Sequence, residues 1–250
     1  MELLPAAAGP PLFLVPPGEL TTPHVTLTGP EGHHAAAVRR LRLGERADVS
    51  DGAGTLAQGV VTSVGKDSVT LEIQAVHSAP PPQPRLVVAQ ALPKGDRGEL
   101  AVELMTEVGV DEVVPWSAER SITKWQGDRG QRALGKWRAT AREAAKQSRR
   151  NWLPEIAPLA STTAIAKRVS TAACAIVLEA DATLKLRELA LPDSGDIMLI
   201  VGPEGGISPA ERAALRHGGA IEARLGPNVL RTSTAGAVGA ANLLARTNRW

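Results

Sequence analysis

Two glycine-containing segments near the carboxyl end have the residue types and spacing of a ligand cradle. The first is Gly202-Pro203-Glu204-Gly205-Gly206, which follows an apolar run. The second is Leu225-Gly226-Pro227-Asn228-Val229-Leu230-Arg231-Thr232-Ser233-Thr234-Ala235. Glycine has no Cβ, so it accepts positive φ and lets a ligand approach the backbone closely. In α/β folds, ligands bind beyond the carboxyl ends of the strands, where such loops lie. A tight turn can use the same residues with no ligand, so either loop alone also fits a plain structural role. Two of them after neighbouring strands point more firmly to a binding cleft.

Other chemistries lack their residues. There is no Gly-x-x-x-x-Gly-Lys-Ser/Thr phosphate loop, no dinucleotide-type Gly-x-Gly-x-x-Gly and no Gly-x-Ser-x-Gly nucleophile elbow. The five histidines, His24, His33, His34, His77 and His217, have no metal-ligand spacing on a helix. No metal is expected. Cys174 is the single cysteine, so it closes no internal disulfide, and its apolar surroundings read as core. The Met1–Pro5 start lacks a basic leader, and no stretch reaches the ~20 apolar residues of a membrane span. A cytoplasmic location is expected.

Charge is unevenly placed. Residues 1–80 carry five Lys/Arg against eight Asp/Glu, whereas residues 120–150 carry ten against two. That basic segment is either a polyanion footprint or a solvated helix face.

The elements that must position the glycine loops follow from periodicity and punctuation. Hydrophobic residues make up 43 % of the chain, enough for a packed core. Segments 47–50, 56–64 and 69–76 read as strands. Asp51-Gly52 and Gly65-Lys66-Asp67 are the turns between them. A short helix is predicted over 33–41, and together these suggest a small barrel in residues 1–78. The run Ala79-Pro80-Pro81-Pro82-Gln83-Pro84 can neither join a sheet nor continue a helix, so 79–84 reads as a stiff linker. Residues 85–250 then alternate. Strands are predicted at 86–91, 112–115, 175–179, 197–201 and 221–225, with helices at 99–108, 130–149, 208–217 and 234–246. This is the pattern of an α/β domain with a mostly parallel sheet. Ser208-Pro209-Ala210-Glu211 is a capping box with proline at the first helical position, and Gly218-Gly219 closes that helix.

Taken in order, several segments resemble the bacterial 16S ribosomal RNA (uracil-N3) methyltransferases of the SPOUT superfamily. They are His34–Glu45 with Asp51-Gly52, Ala91–Arg97, Glu107–Glu112, Glu119–Ser121, Glu143–Arg150 with Pro154, and the two glycine loops. Two positions depart from the family pattern: Ser233 stands where an acidic residue is usual, and Pro11-Leu12-Phe13 lacks the frequent arginine. The resemblance implies a PUA-like barrel followed by a SPOUT-type knotted α/β domain, acting as a homodimer. It also implies methylation of ribosomal RNA, as such or within the small subunit, with S-adenosyl-L-methionine as cofactor. By the same resemblance, Leu178, Glu179, Gly202, Pro203, Glu204, Gly205, Gly206, Leu225, Gly226, Leu230, Arg231, Thr232, Ser233, Thr234 and Ala235 should surround the cofactor. Arg231 is the candidate catalytic cation, with a salt bridge to Glu204 or Glu179 as its alternative role. Arg39, Arg40, Arg42, Lys94, Arg97, Arg120, Lys124, Gln147, Arg149 and Arg150 are the candidate RNA contacts. Two other readings stay open: a non-catalytic RNA-binding protein of the same fold, and a SPOUT methyltransferase with another RNA target.

Overall fold

The computed structural model describes residues 9–20 and 23–250. Residues 1–8, read above for a leader, and 21–22 lie outside them. The chain divides into two compact units, one of residues 1–81 with 149–153, the other of 82–148 with 154–250. The segment 149–153, which the sequence pattern assigns to the second domain, clusters with the first unit.

The first unit holds β1 (Leu12–Leu14), β2 (His24–Leu27), α1 (Gly29–His33), β3 (Arg46–Ser50), β4 (Thr55–Val64) and β5 (Val69–Ser78). A π-helical turn, His34–Val38, extends α1, so helical backbone starts four residues before the predicted 33. The sheet order is β1-β3-β4-β5-β2, parallel at β1/β3 and antiparallel elsewhere. The β4–β5 hairpin closes where predicted, with the Gly65 amide donating to Ser68 O at 2.8 Å. Strand side chains alternate between faces. The inward set of Phe13, Val25, Leu27, Val49, Val61 and Leu71 forms this unit's core.

The second unit is built on six parallel strands in the order β11-β9-β10-β6-β7-β8. These are β6 (Arg85–Ala91), β7 (Glu112–Trp116), β8 (Glu155–Ile156), β9 (Cys174–Leu178), β10 (Asp196–Val201) and β11 (Ile221–Ala223). The helices are α2 (Arg97–Glu107), α3 (Gly127–Gln147), α4 (Thr162–Val169), α5 (Pro209–His217) and α6 (Thr232–Leu244). A parallel sheet is covered on both faces, so its strands read as unbroken apolar runs. Leu86 and Val88 of β6 face a core shared with Met105, Trp137 and Leu243, under α2, α3 and α6. Val87 and Ala89 face the opposite core with Ile165 and Leu215, under α4 and α5. β8 and α4 were not anticipated. β8 is only two residues long. α4 spans two turns and opens on Ser161, whose Oγ accepts from the Ala164 amide.

The capping box of α5 is complete: Ser208 Oγ accepts from the Glu211 amide, and Glu211 Oε2 accepts from the Ser208 amide. The crossing that frames the site follows β11. Arg224 pairs with the β9–β10 connection, donating to Leu184 O and accepting from the Leu186 amide. The chain then runs through the second glycine segment into α6.

Candidate functional site

A cavity of about 750 Å3 opens at the carboxyl ends of β9 and β10. Leu178 and Glu179 form its β9 side, Gly202, Pro203, Glu204 and Gly206 its β10 side, and Leu225, Gly226, Leu230, Arg231, Thr232 and Ala235 its α6 side. Three predicted cofactor residues do not line it. Gly205 is turned against Arg120, which donates to its carbonyl at 3.2 Å. Ser233 is buried inside the first turn of α6, with no partner for its Oγ among the described residues. Thr234 caps that turn locally, its hydroxyl donating to Arg231 O. Ala180, Val201, Ile207, Asn228 and Val229 line the cavity and were not predicted. Val201 and Ile207 directly flank the first glycine loop, which was the available signal.

The Gly202–Gly206 loop is fixed from outside. The Lys94 amide donates to Glu204 Oε1 at 3.2 Å, and the Gly206 amide closes a turn on Pro203 O. A Cβ at Gly202 would stand 2.6 Å from Ile207 Cγ1, so packing requires glycine there. Beneath the loop, the buried Glu211 carboxylate also accepts from the Glu119 amide at 2.9 Å and the Thr162 hydroxyl at 2.8 Å. Burial alone would raise its pKa, but the amide and hydroxyl donors outweigh that and hold it below the usual carboxylate range. Glu211 thereby locks the 117–120 segment to the start of α5, and Arg120 carries that anchorage to Gly205.

On the other wall, Gln90 is fully buried at the end of β6 and donates to Ala91 O and Thr232 O, tying the sheet to α6. Glu179 is half-buried, and desolvation pushes its pKa up, aided by Asp181 and Glu222 and opposed by Arg212. Arg231 is exposed at the mouth. Among the described residues it makes no ion pair, so neither Glu204 nor Glu179 holds it. At Gly226 a Cβ would meet no atom of the described residues within 4 Å, and its φ is not in the left-handed region. Neither packing nor backbone geometry asks for glycine at that point. It leaves open space on the cavity wall.

A family model for an RNA methyltransferase domain matches residues 80–244, and one for an RNA methyltransferase PUA domain matches residues 27–74. The chain is 45 % identical over 226 residues to ribosomal RNA small subunit methyltransferase E of Mycobacterium bovis, covering 89 % of this chain and 86 % of that protein. It belongs to the ribosomal RNA small subunit methyltransferase E family. The family protein of Bacillus subtilis is 30 % identical over 222 residues, covering 85 % of this chain and 86 % of that one. Among solved structures, the family member from Neisseria gonorrhoeae, bound to S-adenosyl methionine, superposes with a TM-score of 0.84 at 25 % identity, covering 96 % of this chain and 98 % of that one. A methyltransferase of Legionella pneumophila solved with bound S-adenosyl methionine gives 0.86 at 25 % identity, covering 96 % and 99 %. The fold class expected from the sequence, a PUA-like unit followed by a SPOUT-type α/β unit, is the one found.

The candidate RNA residues of this family member sort by what already holds them. Lys94 and Arg97 line the cavity. Arg120 is engaged with Gly205 O, and the Lys124 ammonium with Ala118 O and Glu119 O. In the first unit, Arg149 donates to Asp48 Oδ2 at 2.7 Å and to Pro10 O, a structural clamp. Burial raises the pKa of Asp48, and Arg149 offsets part of that. Arg39, Arg40, Arg42 and Gln147 are exposed, and Arg150 is half-buried. Among the described residues no helix is long and apolar enough to cross a membrane, and no three metal-ligating side chains cluster.

Proposed function

We propose that the protein transfers a methyl group from S-adenosylmethionine to N3 of a uracil in small-subunit (16S) ribosomal RNA. The observation that carries this reading is the cavity itself. Two glycine loops wall it, one after β10 and one after β11, in a fold whose relatives were solved with this cofactor. These parallel strands flank β9 and are not the direct neighbours that the sequence suggested. The residues present suit the group. Leu178, Leu225 and Leu230 offer apolar surface for an adenine ring, and the flanking backbone offers polar groups for its edge. The open space at Gly226 is where the cofactor would approach the backbone. Glu179 lies where a carboxylate would favour the positive charge of the bound cofactor.

When bound, the cofactor supplies a methyl group already activated as a sulfonium. The work left to the protein is to align the uracil nitrogen with it and to exclude water. The fixed Gly202–Gly206 loop provides the alignment, and Val229 and Leu230 the apolar cover. The N3 proton must leave before or during attack, and the charge that develops on the ring needs a cation. Arg231 is that group: it is at the mouth, exposed and, among the described residues, not held by any carboxylate. Uracil N3 lies on the pairing edge, so the target nucleotide enters unpaired or extruded from its stack. The reading includes a cytoplasmic homodimer acting on ribosomal RNA or the assembled small subunit.

The test is calorimetric titration with S-adenosylmethionine, followed by radiolabelled methyl transfer to small-subunit ribosomal RNA. One-site binding, transfer by the wild type, and loss of transfer but not of binding in Arg231→Ala are expected. A folded wild type that binds no cofactor at millimolar concentration, with or without RNA, overturns the reading. Binding without transfer to any RNA favours a non-catalytic RNA-binding protein, to which the inert, buried Ser233 would then be a clue.

A further inference from the structure

We propose that a second groove of the α/β unit, lined by α3 and the 122–126 segment, holds the single RNA strand flanking the target nucleotide. This rests on the activity proposed above and gives the substrate a path to the cavity. The groove, about 960 Å3, shares Lys94 and Gly95 with the mouth of the cofactor cavity, so a chain lying in it ends at the site of transfer. Arg129, Arg132 and Lys136 line it from α3. Their spacing of three and four residues puts them in a row on one helix face.

The state of these three cations sets them apart. Most of the unit's arginines outside the groove are tied to specific partners: Arg85 and Arg168 to Glu112, Arg212 and Arg216 to Glu222, Arg249 to Asp111. Arg129, Arg132 and Lys136 make no ion pair or side-chain hydrogen bond among the described residues, and all three are exposed. Asp96 and Glu99 also line the groove, but cations still outnumber them. A row of like charges left uncompensated repels itself, and an occupant carrying a matching row of anions relieves that.

Trp125 decides the class of polyanion. It is half-buried on the groove wall and braced edge-to-face by Trp137, with ring centroids 4.9 Å apart. An aromatic side chain beside a track of cations is the arrangement that takes single-stranded nucleic acid, with phosphates on the cations and a base stacked on the ring. An acidic polypeptide would use the cations alone.

The experiment uses the full-length protein with saturating S-adenosylmethionine and a labelled single-stranded fragment of small-subunit ribosomal RNA. Binding is read by fluorescence anisotropy across a salt series, and methyl transfer is read separately. The triple variant Arg129→Ala, Arg132→Ala, Lys136→Ala is expected to bind RNA about tenfold or more weakly, with the salt slope reduced by about 2. Its KM for RNA should rise while kcat at saturation and cofactor affinity stay within about twofold. Trp125→Phe keeps the packing on Trp137 and should weaken binding less than Trp125→Ala does. Lys167→Ala, on α4, should change nothing. Unchanged RNA affinity and salt slope in the triple variant, with a wild type that binds and methylates RNA, overturn the groove and leave the activity standing. RNA binding that depends on the groove but yields no methyl transfer supports the groove and overturns the activity. A wild type that binds no RNA overturns the groove. Loss of polyglutamate binding equal to the loss of RNA binding, with no effect at Trp125, also overturns it and assigns the groove to an acidic protein.

Discussion

The two loops that wall the cavity are built differently. Gly202–Gly206 is held by the Lys94 amide, by Arg120, by its own turn and by the capped start of α5. Residues 226–230 have no hydrogen bond to any described residue, and every residue from 226 to 231 is exposed. Val229 is 83 % exposed. Leaving such apolar surface in water forgoes roughly 1.5–3 kcal/mol per large aliphatic side chain, which a ligand covering it would recover. One wall is thus a shelf finished by folding, and the other is a flank that gains its contacts only from what binds. The division suits a site that must fix one reactant and still let it in and out.

Breaking the shelf should cost the most stability. Glu211→Ala leaves the Glu119 and Ser208 amides without their buried acceptor, and about 3 kcal/mol of unfolding free energy should be lost in urea titrations. The pH dependence has a definite sign. The folded pKa of Glu211 is lowered, so its stabilisation is present above the unfolded value of about 4.3 and fades as pH falls through the lower folded one. Wild type and Glu211→Gln should therefore converge in stability towards acid.

Next in size is Gly202→Ala, whose Cβ would collide with Ile207, costing about 2 kcal/mol together with at least a tenfold loss of cofactor affinity. Gly226→Ala sharpens the contrast. Its Cβ meets only open space, so stability should change by less than about 0.5 kcal/mol while calorimetry shows weakened cofactor binding. Full retention of affinity would show that the space is not the cofactor's. Arg231→Ala should leave the melting temperature unchanged and lower kcat about a hundredfold.

The smallest effect belongs to Glu179. Its raised folded pKa means that ionisation is disfavoured in the folded state, so Glu179→Gln should be slightly more stable at neutral pH. Wild-type cofactor affinity should fall as acidification protonates Glu179 at a pH above the usual carboxylate range. The variant's affinity should not follow that titration.

The sheet and the long helices were legible because burial on both faces writes continuous apolar runs, and because capping residues mark helix starts. The site was legible to the extent that glycine marks loops. What escaped was a matter of neighbours. Nothing local distinguishes Ser233, sealed within a helix turn, from Thr232 beside the cavity. Counting charges between 120 and 150 could not tell Arg149, clamped on Asp48, from Arg132, whose side chain no described residue holds. Short elements such as β8 and α4 draw their stability from packing, and their own residues carry too little pattern to announce them.

The crossing at Arg224 gives the site a place in time. Residues 224–249 are synthesised after every strand of the sheet, and they supply the exposed flank, Arg231, and the Arg246 and Arg249 latches onto Leu186 O, Leu189 O, Gly109 O and Asp111. A nascent chain paused before them already contains the shelf and has nothing to set against it. Competence to modify RNA therefore arrives only when residues 224–249 have folded back onto a sheet that is already complete.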